Sequence, residues 1–158
     1  MPGGNNLHRN VIFRDGADKV SQIIPMSLYD SEDPEDLWEY MQAYEKKTGG
    51  RAFAIPHNGN MSNGTMFSPT TFSGKPLDKA YVETRAHWEP VYETTQIKGD
   101  GETHGFLSPE DVFADFETLD KGNLSGKYAK TEEMLQYEYS RAALRQGYRN
   151  TGSTLEYA

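Results

Sequence analysis

The chain has 158 residues, the size of one compact domain, with 35% hydrophobic residues, a mean hydropathy of -0.80 and a formal charge of -8. This acidic balance, with no Lys/Arg stripe, speaks against nucleic acid and anionic membrane as partners. No cysteine is present, which excludes disulfides, thiolate zinc sites and thiol nucleophiles, and no apolar run approaches the ~20 residues of a membrane helix.

In chain order, a Gly/Asn loop leads into Leu7–Phe13, whose apolar end predicts a strand, and Arg14-Asp15-Gly16 predicts a turn. Val20 to Ile24 reads as a second short strand, stopped by Pro25. Asp33 and Pro34 then open the clearest helix, with Glu35 and Asp36 at its positive end and Lys46 and Lys47 at its negative end. Leu37, Tyr40, Met41 and Tyr44 form its buried face, and Gly49-Gly50 ends it. Arg51–Ile55 is a short apolar strand, broken by Pro56-His57-Asn58-Gly59-Asn60.

Met61 to Lys75 reads as a loop and Leu77 to Trp88 as a helix that Pro90 stops. Val91 to Ile97 is β-prone and runs into the polar loop Lys98 to Gly105. Ser108 and Pro109 predict a further helix with Asp111 in a capping box and an apolar side of Val112, Phe113, Phe116 and Leu119. After a Gly/Ser/Asn connection over 121–130, Thr131 to Gln146 is the last predicted helix, with Met134, Leu135, Ala142 and Leu144 as contacts and Gly147 as its stop; 148–158 has no clear pattern. The order fits α/β, with few strands for its length, and suits several units of a β/α barrel better than a whole one.

Of the four histidines, His8, His57 and His104 lie in polar loops beside predicted strands, and His87 lies in a helix. Imidazole is a common ligand for zinc, iron and manganese. A lone histidine is more often merely hydrogen-bonded, and no HExxH or His-x-His spacing occurs. The stretch Lys98 to His104 crowds a cation, two acids, a hydroxyl and an imidazole together, a set suited to acid–base work or anion binding. No Gly-x-Ser-x-Gly elbow and no phosphate-cradling glycine loop is present.

Four blocks carry a resemblance: Asn5-Asn6-Leu7-His8-Arg9; Asp30 to Trp38; Ala54 to Gly64, with Pro56-His57-Asn58-Gly59-Asn60 at its heart; and Glu93 to Gly99 through Glu102-Thr103-His104 and Ser108-Pro109 to Glu117. Over residues 3 to 147 they resemble a bacterial family of large proteins, described as a domain of unknown function and related to the PHP (polymerase and histidinol phosphatase) superfamily of metal-dependent phosphoesterases. The resemblance implies part of a distorted β/α barrel, incomplete at both ends, with residues 148–158 as an unmatched tail. It also implies a divalent metal (zinc, manganese or iron) held by His8 and His57, with Asn58 and Asn60 beside the substrate. Lys98, Glu102 and His104 would then act on a small phosphoester or related ester. The superfamily's His-x-His pair, its glutamate ahead of His8 and its late Asp-x-His are missing here. Two ligands are too few for a catalytic ion. The expectation is a fragment or reduced form that is inactive alone and draws on further segments of a parent protein or on a homo-oligomer. The alternative is a scaffold or binding subunit that has lost the site.

Overall fold

A computed structural model describes residues 5–123 and 126–151, with side chains to residue 147. Among these the fold is mixed α/β, with five helices and two small sheets. No barrel closes among the described residues: each sheet has two strands, both pairs antiparallel. The chain divides into two compact units. One comprises His8–Pro56 and Pro69–Tyr92; the other comprises Met1–Leu7, His57–Ser68 and Glu93–Ala158.

The first of these units is built on a five-pair ladder. Strand β1 (Arg9–Phe13) runs antiparallel to β2 (Ala52–Pro56), from Arg9 opposite Pro56 to Phe13 opposite Ala52. Ala52 and Ala54 are buried along one face of β2, the period of two expected of a half-covered sheet. Helix α2 (Pro34–Thr48) starts as the sequence predicts: the Asp33 carboxylate accepts the Glu35 N–H at 2.9 Å, and Pro34 fills the first turn. It buries Trp38, Met41 and Tyr44. With Ala52, Ala54 and Trp88 these form the core, and Leu37, Tyr40, Val11 and Phe13 pack around it.

Val20 to Ile24 is not a strand. Helix α1 (Ala17–Val20) is a single turn, followed by a bend. Val20 and Ile23, three residues apart, both reach the core, a helical spacing that alternation would have split between two faces. Helix α3 (Lys79–Trp88) begins two residues later than expected because Asp78, accepting the Tyr81 N–H at 2.8 Å, is the capping side chain. Trp38 and Tyr81 meet edge-on at 5.2 Å.

In the other unit, the β-prone run Val91 to Ile97 yields only β3 (Thr95–Gln96), paired with β4 (Gly99–Asp100). Ile97, at the turn, is fully exposed. The helix expected from Ser108 is a chain of turns. The Ser108 hydroxyl meets Thr103 Oγ1 at 2.9 Å and the Asp111 carboxylate goes to Arg141, so neither caps a helix, and Val112, Phe113 and Phe116 face outward. The last predicted helix is two: α4 (Glu132–Leu135) and α5 (Ser140–Thr151), with α5 passing through Gly147. Glu138 and Tyr139, both fully buried, occupy the break. The predicted loop at Met1–Gly4 and the tail past 151 lie outside the described residues.

Gly49 and Gly50 separate two kinds of cost. Gly49 has φ 63°, and a Cβ there would meet nothing within 4 Å; a Cβ on Gly50 would lie 2.5 Å from both Asp15 Oδ2 and the Tyr44 hydroxyl. Gly49→Ala should cost about 1 kcal/mol through backbone strain, and Gly50→Ala about 2 kcal/mol through overpacking. Urea denaturation should therefore show the larger fall in midpoint for Gly50→Ala.

Candidate functional site

His57 follows the last residue of β2 and is half-buried. Asn58 comes next in the left-handed conformation (φ 59°), where asparagine is one of the few tolerated residues, and opens a single 3₁₀ turn, Gly59–Met61. Asn58 and Asn60 are both buried. Among the described residues neither amide atom of Asn58, nor Asn60 Oδ1, has a hydrogen-bond partner. Such groups are uncommon in a folded interior and mark where a polar partner belongs.

Asn60 organises the loops around it. Its Nδ2 donates to the carbonyls of Lys98, at 3.0 Å, and Leu119, at 3.4 Å. Its own carbonyl accepts from Lys130 Nζ. Gly99 (φ 102°) makes this approach practicable, since a Cβ there would lie 2.7 Å from Leu119 Cβ and 3.1 Å from Asn60 Nδ2. The Lys130 ammonium also pairs with Glu138 Oε2 at 2.9 Å, with side chains 6% and 0% exposed. Glu138 Oε1 accepts the Gly64 N–H at 3.1 Å. Burial pushes the Glu138 carboxyl above its ordinary value, against the pull of Lys130.

Lys98, Glu102 and His104 belong to the same unit, each with a bond of its own. The exposed Lys98 ammonium donates to Gln96 Oε1 at 3.1 Å; it is the Lys98 carbonyl that meets Asn60. Glu102 Oε1 is bound by Arg141 at 2.5 Å, and the same guanidinium holds Asp111 Oδ2 at 2.6 Å. Arg141 holds the Asp111 carboxyl below its ordinary value. His104 Nδ1 accepts the Phe106 N–H at 3.0 Å, which leaves Nε2 to donate to Asp120 Oδ2 at 3.1 Å. That hydrogen bond lowers the Asp120 carboxyl, and the His104 ring lies 5.5 Å from that of Tyr139.

The structure thus gathers Asn60, the Lys98 backbone, Lys130 and Glu138 around one loop. His8 falls in the unit built on the ladder and His57 in the other. Among the described residues no group of three His, Asp or Glu side chains is arranged to hold a metal ion. Lys130, Glu138, Asp120 and Arg141 were not among the residues expected at the site. Glu138 had a visible signal: it sits midway between Met134 and Ala142, an acid on a predicted apolar stripe.

These features define a mixed α/β protein with a buried, amide-rich loop cluster. The chain belongs to the family described as "Protein of unknown function (DUF3604)", whose model matches residues 1–154. No curated protein and no solved structure gives a significant match.

The Lys130–Glu138 pair invites a double-mutant cycle. Removing one partner strands a buried charge, so Lys130→Met and Glu138→Gln should each cost about 3 kcal/mol. The double variant should cost clearly less than the sum, read from urea midpoints.

Proposed function

We propose that this chain is one part of a PHP-like metal-dependent hydrolase acting on phosphoesters or related esters, inactive by itself. In this reading His8 and His57 contribute metal ligands, Asn58 and Asn60 face the substrate, and the remaining ligands come from further segments of a parent protein or from a second copy. The observation that carries it is the buried amide of Asn58, next in sequence to His57 and in the same unit, which has no hydrogen-bond partner among the described residues. The resemblance of the His8 and His57 blocks to PHP-related proteins adds to it.

A second reading, a scaffold or binding subunit without catalysis, draws on a different observation. Lys98, Glu102 and His104 are each engaged in bonds within their unit, Lys98 to Gln96, Glu102 to Arg141 of α5 and His104 to Asp120 and the Phe106 N–H. In that case their substitution lowers stability with no ligand-dependent effect.

Zinc titration of the isotope-labelled chain, followed by NMR of the histidine rings, tests the ligand assignment. The His8 and His57 signals should move first. Movement of His87 and His104 alone would contradict the assignment. In a parallel assay with nitrophenyl phosphate mono- and diesters and added zinc, manganese or iron, the chain should give no turnover beyond the free metal. Turnover abolished by His57→Ala would overturn the dependence on outside ligands.

A further inference from the structure

We infer that Glu89 is a positioning residue for His8, acting through the buried Arg9 side chain. The inference rests on the reading of His8 as a ligand only for its functional meaning; the geometry stands by itself.

All the groups involved lie in the unit built on the ladder. Glu89 follows the last residue of α3, and its carboxylate is 1% exposed. It accepts from three elements at once: Arg9 Nε of β1 at 2.9 Å, Trp38 Nε1 of α2 at 3.0 Å and Arg85 Nε of α3 at 3.1 Å. The Arg9 side chain is itself only 4% exposed. Burial would raise the Glu89 carboxyl, but Arg9 and Arg85 outweigh it and hold it below its ordinary value. The network is therefore ionised and paired at neutral pH.

Its place in the fold suggests more than stability. Arg9 is the first residue of β1 and lies opposite Pro56. Proline brings no N–H to a ladder, so the ladder is poorest in donors at the end from which His8 departs. The Arg9–Glu89 ion pair supplies the missing restraint from the side-chain direction. The Arg9 side chain is buried at the first position of β1, while His8, the residue just before the strand, is exposed, so fixing Arg9 fixes the point from which His8 departs. Guanidinium and carboxylate together give a fixed geometry that a lone ammonium does not.

The test uses the full chain without metal and follows the four histidine rings by NMR in three variants. Glu89→Gln keeps the volume but removes the charge that holds Arg9. Arg9→Lys keeps the charge but removes the fork. Trp38→Phe removes a donor to Glu89 while leaving both arginines in place. Positioning predicts that Glu89→Gln and Arg9→Lys shift and broaden the His8 signals, leave those of His57, His87 and His104 in place, and speed exchange of the β1 amides about 10-fold. Trp38→Phe should leave His8 unmoved. Unchanged His8 signals in Arg9→Lys, or equal movement in Trp38→Phe, would overturn the inference. If Glu89→Gln fails to fold, Arg9→Lys decides alone. Failure of the ligand reading would show separately, as zinc leaving wild-type His8 unshifted.

Discussion

The ladder between Arg9–Phe13 and Ala52–Pro56 joins segments about forty residues apart, and its unit is organised around closing that loop. Loop closure costs conformational entropy before any pairing rewards it. The return comes from α2, which lays Trp38, Met41 and Tyr44 over Ala52 and Ala54. Two carboxylates secure the periphery. Asp15 takes the Tyr44 hydroxyl and the Arg51 N–H, just past the Phe13–Ala52 end, and Glu89 takes Arg9 at the other. Both carboxyls are held below their ordinary values, Asp15 chiefly by the Arg51 N–H and Glu89 by its arginines against the effect of burial. Their contributions are present in full above the unfolded carboxylate pKa, at roughly pH 4, and are lost as pH falls through the lower folded values.

The other unit lacks such a ladder. Its strands are two residues each, and side-chain bonds to loop backbone supply the order. Asn60 gathers the Lys98 and Leu119 carbonyls, Glu138 takes the Gly64 amide, and Arg141 ties Glu102 and Asp111 to α5. Loops held this way retain a defined shape while carrying polar groups. The cost is a buried Lys130–Glu138 ion pair, which folds well only with both partners present.

Elements with local signals were legible in the sequence. Helix α2 carried its cap, dipole charges and glycine stop in its own residues, and β2 carried its apolar run and its breaker. The strand at Val20–Ile24 and the helix after Ser108 were misread because their cues were ambiguous locally. Val20 and Ile23 serve a helical turn, and the capping-box residues Ser108 and Asp111 bond to Thr103 and Arg141 instead. Units of a β/α barrel were expected; among the described residues the two sheets are two-stranded antiparallel pairs. Around the candidate site, the position of the Asn58–Asn60 loop directly after a strand was legible. The long-range partners were not: Lys130 lies 70 positions from Asn60, and Glu138 lies 74 from Gly64. Pairings of that span are set by tertiary packing, and local pattern carries no trace of them.

Under the proposed function, this chain contributes metal-ligating histidines but not a complete centre. Two imidazoles alone bind a divalent ion weakly, whereas three or more protein donors retain it through purification. The most direct measurement is metal content by mass spectrometry on the chain purified without chelator, with intact mass and oligomeric state determined on the same sample. Chain that runs as a monomer should carry zinc, manganese and iron each far below one per chain. Stoichiometric metal on a monomer would contradict it, because this chain would then be supplying the remaining ligands itself.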